Sequence, residues 1–226
     1  MQELNSGVVS AAPIRVERTG RLVEEILGNN YSNLNRRVYW MKPLIGKEEI
    51  GNSKEFFQRI HQVEMDYFNY WKEHTLWHWE FWLSVALSII PWLVWLLIRK
   101  RGSEARLLLA GGFTLCIAAW FDYLGIVFGS WYYSGRVLPT IPSFFPWDFS
   151  LIPVTMMLWL QFKPALNAFI KAVIYSVFAS FIGEPLFEWI GLYTMVKWSV
   201  FYSFPIWIVI YLIAYRISKA KAFDPL

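Results

Sequence analysis

Between Leu76 and Ile98 the chain carries Glu80 as its sole formal charge. Four further apolar runs follow, at about Leu107 to Phe128, Phe149 to Phe162, Ala172 to Tyr193 and Val200 to Tyr215. Few folds admit such runs. A bilayer core about 30 Å thick needs ~20 helical residues to cross it, and only backbone that closes its own hydrogen bonds is tolerated there. The chain is therefore expected to be all-α, a polytopic membrane bundle of about five transmembrane helices. The third run is short for a crossing, so it either borrows Phe144 to Trp147 or sits inside the bundle. Composition agrees: 56% of residues are hydrophobic, with 14 Trp, 12 Tyr and 18 Phe, too apolar and aromatic for an ordinary soluble domain.

Four regions follow from the pattern. Residues 1–54 read as a polar, partly disordered amino-terminal tail, with a short helix suggested by Val16, Leu22, Val23 and Ile26 ahead of Gly28-Asn29-Asn30. Residues 55–75 read as an interfacial amphipathic helix, because Phe56, Phe57, Ile60, Val63, Tyr67, Phe68 and Trp71 recur at threes and fours. Residues 76–217 form the bundle and 218–226 a short tail. Met1-Gln2-Glu3-Leu4-Asn5-Ser6 lacks a basic start followed by an apolar core, so no cleavable signal peptide is expected.

Charge sets the expected orientation. Arg99, Lys100, Arg101, Arg106, Lys163, Lys171, Arg216, Lys219 and Lys221 fall at one set of span ends, against Arg136 and Lys197 at the other. The basic side is expected to be cytoplasmic in a cell membrane, carrying the carboxyl terminus. Five crossings then leave the amino-terminal segment outside. That segment is itself rich in Lys and Arg, so an inside amino terminus stays open as the alternative. The formal charge of +4 is spread over span ends rather than gathered in a patch, and nucleic acid is not an expected partner. Cys116 is the sole cysteine, which excludes an intrachain disulfide. His74 and His78 lack an evident third ligand, and no phosphate-binding loop or other cofactor motif occurs, so neither metal nor cofactor is expected.

The functional signal lies in acids set within apolar sequence. A charge near the bilayer centre costs about 3 kcal/mol on insertion scales and normally faces a protein interior or a wet cavity. Asp122, Asp148, Glu184 and Glu188 are such residues. Phe121-Asp122-Tyr123-Leu124-Gly125-Ile126 matches Phe187-Glu188-Trp189-Ile190-Gly191-Leu192 in chemical type, and each is followed by a Phe-Pro pair, Phe145-Pro146 and Phe204-Pro205. This suggests two parallel helical-hairpin repeats in which Asp122 and Glu188 are equivalent. At a period of 3.6, Gly111, Ala118, Asp122, Gly125 and Gly129 share a small-residue face. Val173, Val177, Ser180, Glu184, Glu188 and Gly191 share another, stacking Glu184 over Glu188. Pro185 should kink or open its turn and free a carbonyl near residue 181. Tyr123, Trp131, Trp147, Trp189, Tyr193 and Tyr202, with Tyr132, Tyr133 and Trp198, gather at the same end. They fit either an interfacial belt or an aromatic-walled pocket for a cation.

Phe121-Asp122-Tyr123-Leu124-Gly125, Pro146-Trp147-Asp148-Phe149-Ser150-Leu151-Ile152-Pro153-Val154 and Gly183-Glu184-Pro185-Leu186-Phe187-Glu188-Trp189, with Leu138-Pro139 and Tyr202-Ser203-Phe204-Pro205-Ile206, carry a resemblance. Over about Tyr67 to Ile217 the chain resembles a family of small, mostly uncharacterised multispan membrane proteins of spore-forming Gram-positive bacteria. The resemblance implies location and architecture, and brings no activity or cofactor. Three functional classes stay open. One is a lipid-binding, sensing or assembly component without catalysis. Another is a membrane-embedded enzyme that uses a protonated Asp122, Asp148, Glu184 or Glu188 on an isoprenoid or other lipid. The third is proton- or cation-coupled transport. The expected partners are membrane lipid or a hydrophobic small molecule, and a homo-oligomer is compatible with each class.

Overall fold

The computed structural model describes residues 45–220. The short helix expected near Val16 to Ile26 and the last residues of the carboxyl-terminal tail lie outside them. Helix α1, Lys47–His74, starts well before the Glu55 that periodicity suggests. Glu48 and Glu49 in its first turn and Lys72 and His74 in its last complement the helix dipole at both ends. Near its carboxyl end Trp71 is buried, and its indole Nε1 donates to the Arg136 carbonyl at 2.7 Å. Trp77, with φ of 69°, then reverses the chain into the bundle.

Among the described residues, four stretches are long and apolar enough to cross a membrane. They are α2 (Trp79–Ile98), α3 (Glu104–Val127), the broken helix Ala168–Ile190 and α7 (Val200–Ser218), with mean hydropathy from 1.4 to 2.2. Their outward faces are apolar. Ile89, Ile90, Leu93 and Leu97 on α2 are exposed, Leu97 at 84%, a surface suited to hydrocarbon rather than water.

The third run is different. Its helical backbone starts at Phe145, opens into a π-helical turn at Trp147–Leu151 and continues as α4, Ile152–Gln161. It thus borrows the upstream residues and also sits inside: Ile152, Pro153, Val154, Met156, Met157 and Leu160 are all buried. Helix α4 packs on α3 and touches α2 and α7. Its carboxyl end is closed from within the protein, because Lys171 Nζ donates to the Phe162 carbonyl at 2.6 Å and the Leu160 carbonyl at 3.3 Å. A lysine that reads as a topology signal is fully buried as a cap on exposed carbonyls.

The fourth run is two helices around a second π turn: α5 (Ala168–Phe178), Ala179–Gly183 in π geometry, and α6 (Glu184–Ile190). Helices α5 and α7 pack together, and α3 packs on α7. Short strands β1 (Trp131–Tyr133) and β2 (Tyr193–Met195) follow α3 and α6 and pair antiparallel, with Trp131 opposite Met195 and Tyr133 opposite Tyr193. The loops that follow α3 and α6 are thereby tied over one end of the bundle.

Candidate functional site: an acid and aromatic cleft

The cleft is built first on α3. Its buried stripe is Leu107, Ala110, Gly111, Thr114, Ala118, Asp122 and Gly125, close to the expected small-residue face. Gly129 leaves that face and turns the chain, exposed, with φ of 64°. Near the outer end the stripe receives a side chain, not another helix. A Cβ on Gly125 would lie 1.9 Å from the Trp131 ring, so only glycine lets this indole lie flat on α3. One turn earlier Asp122, 4% exposed, accepts the Trp131 Nε1 hydrogen at 2.7 Å and the Phe144 backbone N–H at 2.8 Å. Both its oxygens are used.

Asp148 is presented by the first π turn and lies beside Asp122, 1% exposed. Its Oδ2 has no hydrogen-bond partner. Glu184 follows the second π turn, 8% exposed, within hydrogen-bonding reach of Ser203 and the Trp207 indole on α7. Ser203 in turn accepts from Trp198 Nε1 at 2.8 Å. Glu184 Oε2 is likewise unpartnered.

These three carboxyls line one narrow cleft with about 630 Å³ of space between atoms, its mouth included. Trp131, Tyr133, Trp147, Phe187, Tyr193, Trp198 and Trp207 supply its aromatic walls. The rings interlock: Tyr133 stacks on Phe144 at 4.6 Å between centroids, and Trp147 meets Phe187 edge-on at 4.7 Å. Burial, then the neighbouring Asp122 and Asp148 carboxyls, hold the Tyr133 phenol well above the ordinary tyrosine range. Burial, followed by Glu184, Asp122 and Glu188, does the same for Tyr193. Both rings therefore keep their hydroxyl proton at neutral pH and add hydrogen-bonding capacity to the walls.

The structure brings together Asp122, Asp148, Glu184, Trp131, Trp147 and Tyr193 from the residues singled out in the sequence. It does not bring in Glu188, which lies one turn beyond Glu184 on α6 but is exposed, unlike the buried Asp122. The buried face passes through Ser176, Ser180, Glu184 and Phe187, in steps of four, four and three residues, so the step after Glu184 lands on Phe187. Val177 and Glu188 rotate outward. Tyr123, Trp189 and Tyr202 also point out, Trp189 at 83% exposure.

Phe187, Ser203 and Trp207 line the cleft although sequence reasoning did not select them. The spacing of Ser203, Trp207 and Ile210 on one face of α7 could have shown it. The alternation of Trp131 and Tyr133 inward with Tyr132 outward, a strand pattern, likewise separates Tyr133 from the interfacial aromatics. Comparison with protein-family models, characterised proteins and solved structures finds no match to this chain.

Proposed function

We propose that this integral membrane protein is a non-catalytic, ligand-binding component of the cell membrane, taking up a lipid or another hydrophobic small molecule in its acid and aromatic cleft. The observation that carries this reading is the pair of unpartnered carboxyl oxygens, Asp148 Oδ2 and Glu184 Oε2, inside an aromatic-walled cleft. Six other buried polar atoms among the described residues also lack partners, Trp95 Nε1 and Tyr211 Oη among them, but these two belong to carboxyls that line the cleft, where an unmet acceptor is most costly. The motifs around Asp122, Asp148 and Glu184 are also those on which the resemblance to the multispan family of spore-forming bacteria rests, and membership of that family is part of the proposal. The loops bearing Arg99 to Arg106 and Lys163 would face the cytoplasm with the carboxyl terminus, leaving the cleft on the outer side.

Native mass spectrometry of protein extracted with minimal delipidation tests this. The wild type is expected to retain a small molecule that the Asp148→Asn/Glu184→Gln double variant loses. If the two carry the same adducts, the cleft is packing and the binding reading fails.

A further inference from the structure

The acid cleft adjoins a second space. Between α3 and α7 a groove with about 690 Å³ of space is lined entirely by apolar side chains, among them Phe113, Ile117, Val209 and Ile213. Phe121, Ile206 and Ile210 line both groove and cleft. Helix α7 makes this division. Ser203, Trp207 and Ile210 are buried, while Val209 and Ile213, which line the groove, are exposed. The apolar groove and the space beside Asp148 and Glu184 therefore share a wall of Phe121, Ile206 and Ile210.

The two compartments ask for different things. The groove accepts a hydrocarbon chain and offers no polar partner. The cleft presents three carboxyls, and no Lys, Arg or His is among its lining residues. An anionic head would be repelled there. A neutral hydroxyl would satisfy an acceptor but leave the acids without a countercharge. A quaternary ammonium would suit the rings through cation–π attraction, yet it has no N–H to give the two open oxygens. A protonated primary amine meets every condition, with one positive charge and three N–H donors.

We propose that groove and cleft together hold one amphiphile bearing a protonated primary amine, its ammonium between Asp148 and Glu184 and its chain along Phe113, Ile117, Val209 and Ile213. This rests on the ligand-binding reading above and gives the ligand's class. The amine belongs either to an aminophospholipid headgroup or to a free long-chain amine.

The test uses the full chain in phosphatidylglycerol nanodiscs, with tryptophan emission as readout, since four tryptophans line the cleft. Hexylammonium, hexyltrimethylammonium, hexan-1-ol and hexanesulfonate share a chain and differ at the head. Hexylammonium is expected to saturate, with the other three at least about tenfold weaker, the loss typical of a charge-assisted hydrogen bond. Glu184→Gln and Asp148→Asn should each weaken hexylammonium by about the same factor. Ile117→Trp and Ile213→Trp fill the groove without touching the acids. They should weaken hexylammonium and leave methylammonium unchanged, which keeps the proposal testable if an acid variant misfolds. Doping the nanodiscs with phosphatidylethanolamine distinguishes the sources. Competition with hexylammonium assigns the amine to the headgroup, and its absence alongside hexylammonium binding assigns it to a free amine. Hexan-1-ol or hexyltrimethylammonium binding as tightly as hexylammonium overturns the primary-amine class and leaves the binding reading standing. If no probe binds and no acid-dependent adduct is seen by mass spectrometry, both fall.

Discussion

Asp122, Asp148 and Glu184 share a cleft but not a role. Asp122 clamps the outer loop, its two oxygens held by the Trp131 indole and the Phe144 amide. The other two each keep an oxygen open. Substitution by the amide isostere separates these roles. Asp122→Asn sets an NH₂ against one of two N–H donors, so a hydrogen bond is lost and a donor is left buried. That should cost about 1–3 kcal/mol. Glu184→Gln replaces a carboxyl that is not fully engaged, and should cost much less. Thermal unfolding of both variants in the same detergent measures the order, and equal losses would mean that Glu184 is a packing residue like Asp122. The position of Asp122 was legible from its sequence neighbours, since a charge among Gly111, Ala118 and Gly125 on one helical face has little choice but to point inward. That Gly125 serves an indole rather than a neighbouring helix was not legible. Trp131 comes from a loop whose path depends on strand pairing far along the chain.

The two π turns are the elements on which the site depends. Trp147–Leu151 carries Asp148, and Ala179–Gly183 delivers Glu184. In each case a proline follows two residues after the turn, Pro153 and Pro185. A proline lacks the N–H for the i−4 carbonyl and crowds it, and a widened turn just before it relieves both problems. The sequence foretold an opened turn at Pro185 but not its form, and the form matters. Stepping three residues before Ser180 and four after Glu184 put Val177 and Glu188 on the buried face, where the structure steps four and three to Ser176 and Phe187. Deleting Ile182, half exposed on the protein surface, shortens the wide turn by one residue. It would turn α5 relative to α6 by about 100°, one α-helical step. The variant should keep its helical circular dichroism and lose the ligand retained by wild type. A deletion that keeps the ligand would show that the wide turn has no part in placing Glu184.

At the scale of the whole molecule, a multispan helical bundle was readable because bilayer thickness imposes a length, and four of the five expected runs, α2, α3, Ala168–Ile190 and α7, meet it. The short α4 was harder to read. A helix walled by others can end early provided something inside the protein closes its last carbonyls, and Lys171, from the start of the next helix, does so. With α4 counted as a crossing, parity puts the chain before α2 opposite the basic loops. A contact bears on the same point: Trp71 at the end of α1 donates to Arg136 in the loop that follows β1, at the cleft end. Residues just before α2 and the cleft should therefore share a side of the membrane. In a background with Cys116 replaced by serine, Glu73→Cys is expected to react with an impermeant maleimide on intact cells. Ser103→Cys, between α2 and α3 beside Arg99 to Arg101, should react only after permeabilisation. The reverse pattern would place the cleft on the cytoplasmic side and the basic loops outside, against the charge asymmetry that normally sets orientation. Protection of both in intact cells would show that α2, the one helix between the two positions, does not carry the chain across.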